Sequence, residues 1–414
     1  MVEREHGADP HDRIRERMPV LASYAASSVQ PLAGTTVAVA SHLEPSTGVY
    51  IETLRDAGAT VYCTASNADS IHGDVVEHLD AQRDVNVFAA EDMSEDALDR
   101  AQRDLLGQDL DVLCTDGAEL LVKLQSHPDL SPSGIDGVAE QTTSGVTRAR
   151  AMETDGLLDA PVFAVNHTPM KHWFDNVHGT GESALSNVML ATNTRLAGRA
   201  VVVAGYGYVG RGIATKAREL GAQTIVTEVD PRKAIRAHVD GHRVLPMAEA
   251  AEVGELFFTA TGNCHVITDE HFDRLQDGAI LCNAGHSDVE VDVDGLAERA
   301  DVVSDIGEGL IRYRLPDGRA IEVFADGTLA NLAGPYSQGH PAEIMDATFA
   351  AMFVATRELA GQGDDYTPGV HQLPTHLDRE VAEKKCEALG IDIDSLTDRQ
   401  RRYLDTWRRE DIVD

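Results

Sequence analysis

The stretch from Ala200 to Pro231, AVVVAGYGYVGRGIATKARELGAQTIVTEVDP, constrains the fold more than any other part of the chain. Ala200 to Ala204 is an apolar run of the length of one buried parallel strand. Gly205, Gly207 and Gly210 then give G-x-G-x-x-G where that strand must turn into a helix. Ile213, Ala214, Ala217 and Leu220 follow at helical spacing, so one face can pack on a sheet. Gly221 stops the helix, Thr224 to Val226 begins the next strand, and Glu228 closes it.

Each part has a physical task. Gly205 permits the tight turn, Gly207 admits a pyrophosphate to the backbone, and Gly210 lets helix and strand pack closely. The free N–H groups of the new helix, Tyr208 and Val209 among them, attract phosphate. A carboxylate at Glu228 accepts from both ribose hydroxyls and repels a 2′-phosphate, which favours NAD over NADP. A glycine-rich turn alone is weak evidence; strand, helix and acid in register make it a cofactor site. Some 200 residues precede the motif, so the chain has to supply a substrate domain around a central cofactor domain.

A chain of 414 residues has room for two or three domains. Its net charge of −34, with six lysines among 35 basic residues, excludes nucleic acid and anionic membranes as partners. An apolar share of 43% argues against disorder. An acidic, lysine-poor surface fits a cytoplasmic protein from a high-salt organism. Cys63, Cys114, Cys264, Cys282 and Cys386 are scattered and have no metal or redox spacing, so free thiols in a reducing compartment are expected. The N-terminus lacks the apolar core of a signal peptide, and no run approaches transmembrane length.

Strand and helix patterns alternate from Leu32 onward. The expected strands are GTTVAVASHL, ATVYCTAS, DVNVFAA, the front of LDVLCTDGAELL and PVFAVNHT. Helical patterns lie between them and from Gly181 to Thr194. ELFFTATGN and GAILCNAGH are further buried strands after the glycine motif. A long helix should follow QGHP, and two short helices should end the chain, Ser395 and Asp398 forming an N-cap pair. The expected fold class is α/β: two doubly wound parallel-sheet domains and a helical C-terminal segment. The expected boundaries are 1–180 for the substrate domain, completed by about 342–372, then 181–341 for a Rossmann NAD domain and 373–414 for the helical end. Residues 1–30 read as a charged, frayed start followed by a helix.

The segment NHTPMKHWFDNVHGTGE, Asn166 to Glu182, concentrates polar chemistry after a strand. Lys171 and Asp175 are four apart and share a helix face, which suits an ordinary ion pair or a pair that takes a proton from a substrate hydroxyl. Thr142, Thr143 and Ser144 in EQTTSG read as a helix cap or as hydrogen-bonding groups for a nicotinamide or ribose. His42 and Asp116 each end a strand, where capping and catalysis are both open readings. His286 follows a buried strand of the cofactor domain and should lie near the cofactor. No HxH or HExxH spacing occurs, so no metal is expected.

In order along the chain, SHLEPSTGVYIETL, DGAELL, EQTTSGV, VNHTPMKHWFDNVHGTGES, GYGYVGRG with TEVDP, TGN, CNAGHSDVEVDV, LANL with QGHP, and GVHQLP with LDREVA resemble S-adenosylhomocysteine hydrolases, over about Met18 to Trp407. The resemblance implies one NAD per subunit, retained through the cycle. In that chemistry oxidation of a ribose 3′-hydroxyl acidifies the 4′-hydrogen, homocysteine is eliminated, water adds, and the ketone is reduced again. Net hydrolysis yields adenosine and homocysteine, reversibly. It implies Lys171 and Asp175 at the 3′-hydroxyl, with His42 and Asp116 near the 4′ and 5′ carbons. Glu44, Gln141, Asn166, His286 and His340 would bind substrate. Thr142, Thr143, Ser144, Asn176, Asn263, Gly285 and Asn331 would join Gly205, Gly207, Tyr208, Val209, Gly210 and Glu228 around NAD. A cytoplasmic homo-oligomer, dimer or tetramer, is also implied.

Departures from the family pattern gather on the substrate side. Glu140 and Gln141 stand where two glutamates are usual, His167 replaces an aspartate, Ser287 a phenylalanine, and Ser46 a glutamine or lysine. Two alternatives follow: the same mechanism on another nucleoside thioether such as S-inosylhomocysteine, or a catalytically weak regulator that senses NAD or nucleosides.

Overall fold

A computed structural model describes residues 10–127, 130, 134–337 and 339–407. The charged start at 1–9 and Gln338 of the QGHP motif lie outside the described residues.

Among the described residues, fifteen strands form two sheets. In the first are β1 (Thr36–Ser41), β2 (Thr60–Ala65), β3 (Val85–Val87), β4 (Val112–Thr115), β5 (Gly137–Glu140), β6 (Pro161–Ala164) and, from far along the chain, β15 (Gly369–His371). Their spatial order is β15-β6-β5-β4-β1-β2-β3, and every pairing is parallel. The second sheet holds β7 (Ala200–Ala204), β8 (Gln223–Thr227), β9 (Arg243–Val244), β10 (Leu256–Thr259), β11 (Ala279–Asn283), β12 (Val302–Asp305), β13 (Leu310–Arg314) and β14 (Ala320–Phe324). Its order is β12-β13-β14-β11-β10-β7-β8-β9.

The second sheet is not purely parallel: β12, β13 and β14 form an antiparallel edge. Short turns link these three strands, and a short link can only return the chain antiparallel. In each sheet the strand order reverses beside the first strand of its unit, between β1 and β4 and between β7 and β10. Ligand crevices in open α/β sheets form at the carboxyl ends of strands at such reversals.

Burial explains the layers. The central strands of the first sheet, β1, β4, β5 and β6, are buried on both faces, as parallel strands covered by helices must be, while the edge strands β3 and β15 are partly exposed. The helix Ala342–Gln362 lies against this sheet with Phe349 and Phe353 fully buried, and Phe349 stacks on Tyr50 at 4.8 Å between centroids. Gly137 opens β5 because a Cβ there would run into Leu359 of that helix. Asp346, on the same helix and fully buried, accepts from the backbone N–H groups of Val20 and Leu21 and from Lys385 Nζ at 2.8 Å. One carboxylate thus ties Pro19–Ala25, Ala342–Gln362 and Thr375–Leu389 together.

Several local expectations shift. The strand in PVFAVNHT ends at Ala164, and Val165–His167 makes a 3₁₀ turn instead, ahead of Pro169, which has no N–H for a ladder and opens the next helix. The first C-terminal helix, Thr375–Leu389, has 15 residues and is not short. The last helix is capped by Thr397 with Gln400 in a capping box, not by Ser395 with Asp398. Gln400 reaches back to the Thr397 N–H, as a longer amide can. No helix among the described residues is long and apolar enough to cross a membrane.

Candidate active site

The reversal in the first sheet brings candidate groups side by side. Ser41 ends β1 and His42 follows; Asp116 follows β4, Gln141 follows β5, and Asn166 follows β6. Parallel register holds Ala40 opposite Thr115 and Thr115 opposite Glu140, so these residues share one edge. His42 Nε2 lies 3.7 Å from Asp116 Oδ2, and Gln141 Nε2 donates to that same oxygen at 2.6 Å. Asp116 Oδ1 is buried and has no protein partner.

Glu140 organises the floor beneath. Its buried carboxylate accepts from Thr115 Oγ1, the Gly117 and Ala118 N–H groups, and both the N–H and hydroxyl of Thr142. Burial, with Asp116 adding to it, pushes this carboxyl up to about 7 against those donors. The Thr142 hydroxyl also accepts from Gly145 N at 3.0 Å, so this residue caps the helix. Thr143 Oγ1 accepts from Asn166 Nδ2 at 2.7 Å, and Ser144 Oγ donates to Thr142 Oγ1 at 3.2 Å.

Lys171 and Asp175 form more than a surface pair. Both are buried, and Lys171 Nζ meets Asp175 Oδ2 at 3.1 Å, Asn166 Oδ1 at 2.9 Å and Asn176 Oδ1 at 3.0 Å. Thr348 Oγ1 donates to Asp175 Oδ2 at 3.0 Å, and His340 Nδ1 lies 3.0 Å from Asp175 Oδ1. Burial opposes ionisation of Asp175, but Lys171 and His340 outweigh it and hold the carboxyl far below the usual carboxylate range. Asp175–Gly179 is a single π-helical turn, a distortion that often marks functional sites.

That turn also meets the cofactor helix. The helices Thr180–Thr192 and Tyr208–Glu219 cross so closely at Gly181 and Gly212 that a Cβ on Gly212 would run into the Val177 carbonyl. The loop bearing Lys171 and Asp175 therefore rests directly on the dinucleotide helix. His172 adds a ring stacked on Tyr208 at 4.0 Å.

Around the proton-handling pairs, Glu44 precedes the helix Pro45–Asp56 and backs onto Gly339, where a Cβ would run into its carboxylate. Burial pushes the Glu44 carboxyl up to about 7; His340 opposes this, while Asp116 and Asp175 add to it. His340 Nε2 faces Thr180 Oγ1 at 3.2 Å and Asn331 Nδ2 at 3.3 Å. His286 reaches across from the second sheet: a Cβ on Gly117 would stand 2.7 Å from its Nε2. The two sheets thus meet with His42, Asp116, Glu44, Lys171, Asp175, His286 and His340 in one cluster.

The residues at the second reversal fit a dinucleotide. Gly205 has φ +90°, and a Cβ there would stand 2.7 Å from the Ala260 carbonyl. A Cβ on Gly210 would run into the Gly205 carbonyl, whereas the space before Gly207 is open. The helix starts at Tyr208, leaving the first N–H groups, including those of Val209 and Gly210, toward that space. Glu228 accepts from Tyr206 N at 2.7 Å, Val229 N at 2.7 Å and Asp230 N at 3.0 Å, which fixes it beside the turn. Across the crevice Asn263 is exposed, and its Oδ1 accepts from Cys264 N. Asn331 Oδ1 is buried without a protein partner.

Three residues were not singled out by sequence spacing. Glu290 holds the Thr261–Gly262 turn by accepting from both N–H groups and from Thr261 Oγ1. Asn283 accepts from Gly285 N at 2.8 Å and donates to the Ser287 carbonyl at 2.7 Å, shaping the turn that carries His286. Thr348 carries a weak signal, a hydroxyl inside the apolar run ATFAAMF.

Known proteins resemble this chain over nearly its whole length. Residues 176–336 match the family model described as S-adenosyl-L-homocysteine hydrolase, NAD binding domain. An adenosylhomocysteinase from Halobacterium salinarum is 47% identical over 408 residues, covering 98% of this chain and 95% of that protein. An S-inosyl-L-homocysteine hydrolase from Methanopyrus kandleri is 44% identical, covering 97% and 95%. An adenosylhomocysteinase from Aquifex aeolicus is 41% identical, covering 95% and 92%.

Proposed function

Since the chain belongs to the S-adenosylhomocysteine hydrolase family, we propose that it cleaves S-adenosyl-L-homocysteine to adenosine and L-homocysteine and runs the reverse reaction as well. The observation that carries this reading is the buried set of Lys171, Asp175, Asn166 and Asn176, pressed against the dinucleotide helix and connected through Glu44 and His340 to His42 and Asp116. A simple hydrolase has no use for a dinucleotide site beside its proton-transfer groups. An oxidation that is later undone does.

NAD is the cofactor, and when bound it supplies a reversible hydride acceptor for the ribose 3′ carbon. Gly205, Gly207, Gly210 and the N–H groups of Tyr208 and Val209 would hold its pyrophosphate and Glu228 its adenosine ribose. Thr143, Ser144, Asn176, Asn263, Gly285 and Asn331 would border its nicotinamide half, with Thr142 acting through the cap it forms.

The proton chemistry belongs to this chain's side chains. Lys171, tethered by three oxygens, is placed to carry the 3′-hydroxyl proton, and Asp175 with Asn166 and Asn176 fixes where Nζ stands. His42 is suited to take the 4′-hydrogen, now acidic beside a ketone, and to return a proton during water addition. Burial holds its imidazole below the ordinary value; Asp116 opposes that, while His286 and His340 reinforce it. A neutral ring is thereby kept available as a base. Asp116, with one carboxylate oxygen unpartnered, is placed to accept from a substrate or water O–H at the 5′ side. Glu44, Gln141, His286 and His340 would line the rest of the nucleoside pocket. The close approach of His286 to Gly117 brings the second sheet over the cluster.

We divide the work as the two sheets suggest: residues 1–180 with about 342–372 hold the nucleoside, and 181–341 hold NAD. The strongly negative charge and the halophilic relatives support a salt-rich cytosol and a place in the methylation cycle.

The test is release of homocysteine. In high salt with bound NAD, the protein should release homocysteine from S-adenosylhomocysteine faster than from S-inosylhomocysteine. A reversed preference would overturn the base assignment, and release from neither would overturn the hydrolase reading.

A further inference from the structure

We propose that Ser70 is a positioning residue that sets the tautomer of His42, placing the proton on Nδ1 and leaving Nε2 as the bare nitrogen that faces the substrate. Ser70 ends the short turn Ala68–Ser70 after β2 and is buried. Its place is fixed by the backbone on both sides of the site. Leu43 N donates to the Ser70 carbonyl at 3.0 Å, and His72 N donates to the Leu43 carbonyl at 3.1 Å, a parallel bridge that begins one residue after His42.

The assignment follows from counting protons. A serine hydroxyl has one, and Ser70 Oγ donates it to the Asn67 carbonyl at 3.0 Å. Its lone pairs remain, and His42 Nδ1 lies 2.7 Å away. With the hydroxyl proton on the Asn67 carbonyl, that short contact is a hydrogen bond only when Nδ1 carries its own proton. In a neutral imidazole the other nitrogen is then an acceptor.

On the far side, His42 Nε2 stands 3.7 Å from Asp116 Oδ2, beyond hydrogen-bond reach. Gln141 already donates to that oxygen at 2.6 Å. Asp116 therefore does not compete for an Nε2 proton, and the lone pair stays available. Asp116, His286 and His340 are the titratable groups that act on this ring.

With this tautomer Nε2 accepts a proton from the substrate, and the N–H so formed exchanges with solvent and donates a proton back when water adds. The other tautomer would present an N–H where a base is required. The catalytic use of Nε2 rests on the hydrolase reading, whereas the tautomer does not.

The experiment is nitrogen NMR of the full-length NAD-bound protein with ¹⁵N-labelled imidazoles, the His42 signals identified by their loss in His42→Gln. Wild-type protein should show a protonated Nδ1 and an unprotonated Nε2. Ser70→Ala should shift His42 toward Nε2–H, lower kcat about tenfold to a hundredfold and displace its acid limb in pH, and Ser70→Thr should restore all three. A proton on Nε2 in the wild type would overturn the proposal, as would a Ser70→Ala protein with unchanged tautomer and pH profile. The spectrum needs no substrate. The expected tautomer in a protein that releases no homocysteine would uphold the assignment and sink the hydrolase reading.

Discussion

At the scale of single residues, the site combines buried charges that are satisfied with a half-buried carboxyl that is not, that of Glu44. Its carboxyl sits at about 7 in the folded protein against 4.5 as an ordinary glutamate. A raised carboxyl favours the fold while it is protonated, so its contribution is fully present below about 4.5 and lost as pH rises through about 7. Glu44→Gln should therefore be more stable than wild type at pH 8 by about 1–3 kcal/mol, the gap closing toward pH 5. Denaturant unfolding at the two values measures this; a gap that grows with acidity would contradict the assignment. Lys171→Ala should lower the rate of 3′ oxidation about 100-fold or more, read as loss of the reduced-nicotinamide absorbance with adenosine as substrate. An unchanged rate would remove Lys171 from the chemistry.

Residue types and spacing made the groups that carry charge legible. Lys171 and Asp175 share a helix face, and His42 and Asp116 end strands. The sequence did not mark the residues that satisfy them. Ser70 and Thr348 come from other elements, and each is an ordinary polar residue until the fold sets it 2.7–3.0 Å from its partner. His340 is legible as a site residue, but its bond to Asp175 appears only once the helix after Pro341 returns to the first sheet.

At the scale of elements, the glycine motif was legible because its strand, turn and helix are contiguous and each glycine has a local reason. Less local features were not. The strand β5 has four residues and opens on a glycine whose purpose is to let a helix more than 200 residues later pack closely. The antiparallel edge of the second sheet depends on pairing, which periodicity alone does not report. Gly212 shows the same dependence. It lies on the cofactor helix, yet what forbids a side chain there is the Val177 carbonyl of the site loop. Ala normally helps a helix by up to about 1 kcal/mol over Gly. Here the contact is with backbone, and overpacking costs about 1–3 kcal/mol. Gly212→Ala should therefore lower thermal stability and reduce both kcat and the NAD retained on purification. Wild-type cofactor content together with wild-type kcat would show that the two helices are not coupled as described.

At the scale of the whole molecule, net charge and cofactor act on the same two-sheet body. A charge of −34 repels itself, and the screening length falls from about 10 Å at 0.1 M salt to about 3 Å at 1 M. The thermal midpoint should rise steeply with KCl over that range and further on addition of NAD, which binds only the folded state. A midpoint independent of salt would separate the acidity from stability.

The central claim is that proton transfer in the first sheet and hydride transfer at the second serve one reaction. Isotope tracing tests it most directly. S-adenosylhomocysteine carrying deuterium at C3′ is hydrolysed in ordinary water, and the adenosine formed is analysed by mass spectrometry and NMR. Substrate carrying deuterium at C4′ is treated in the same way. The account predicts that the C3′ label returns to adenosine while the C4′ label is exchanged for solvent hydrogen. Adenosine that keeps its C4′ label would contradict it, because the 4′-hydrogen would then not have passed to a base that exchanges with solvent.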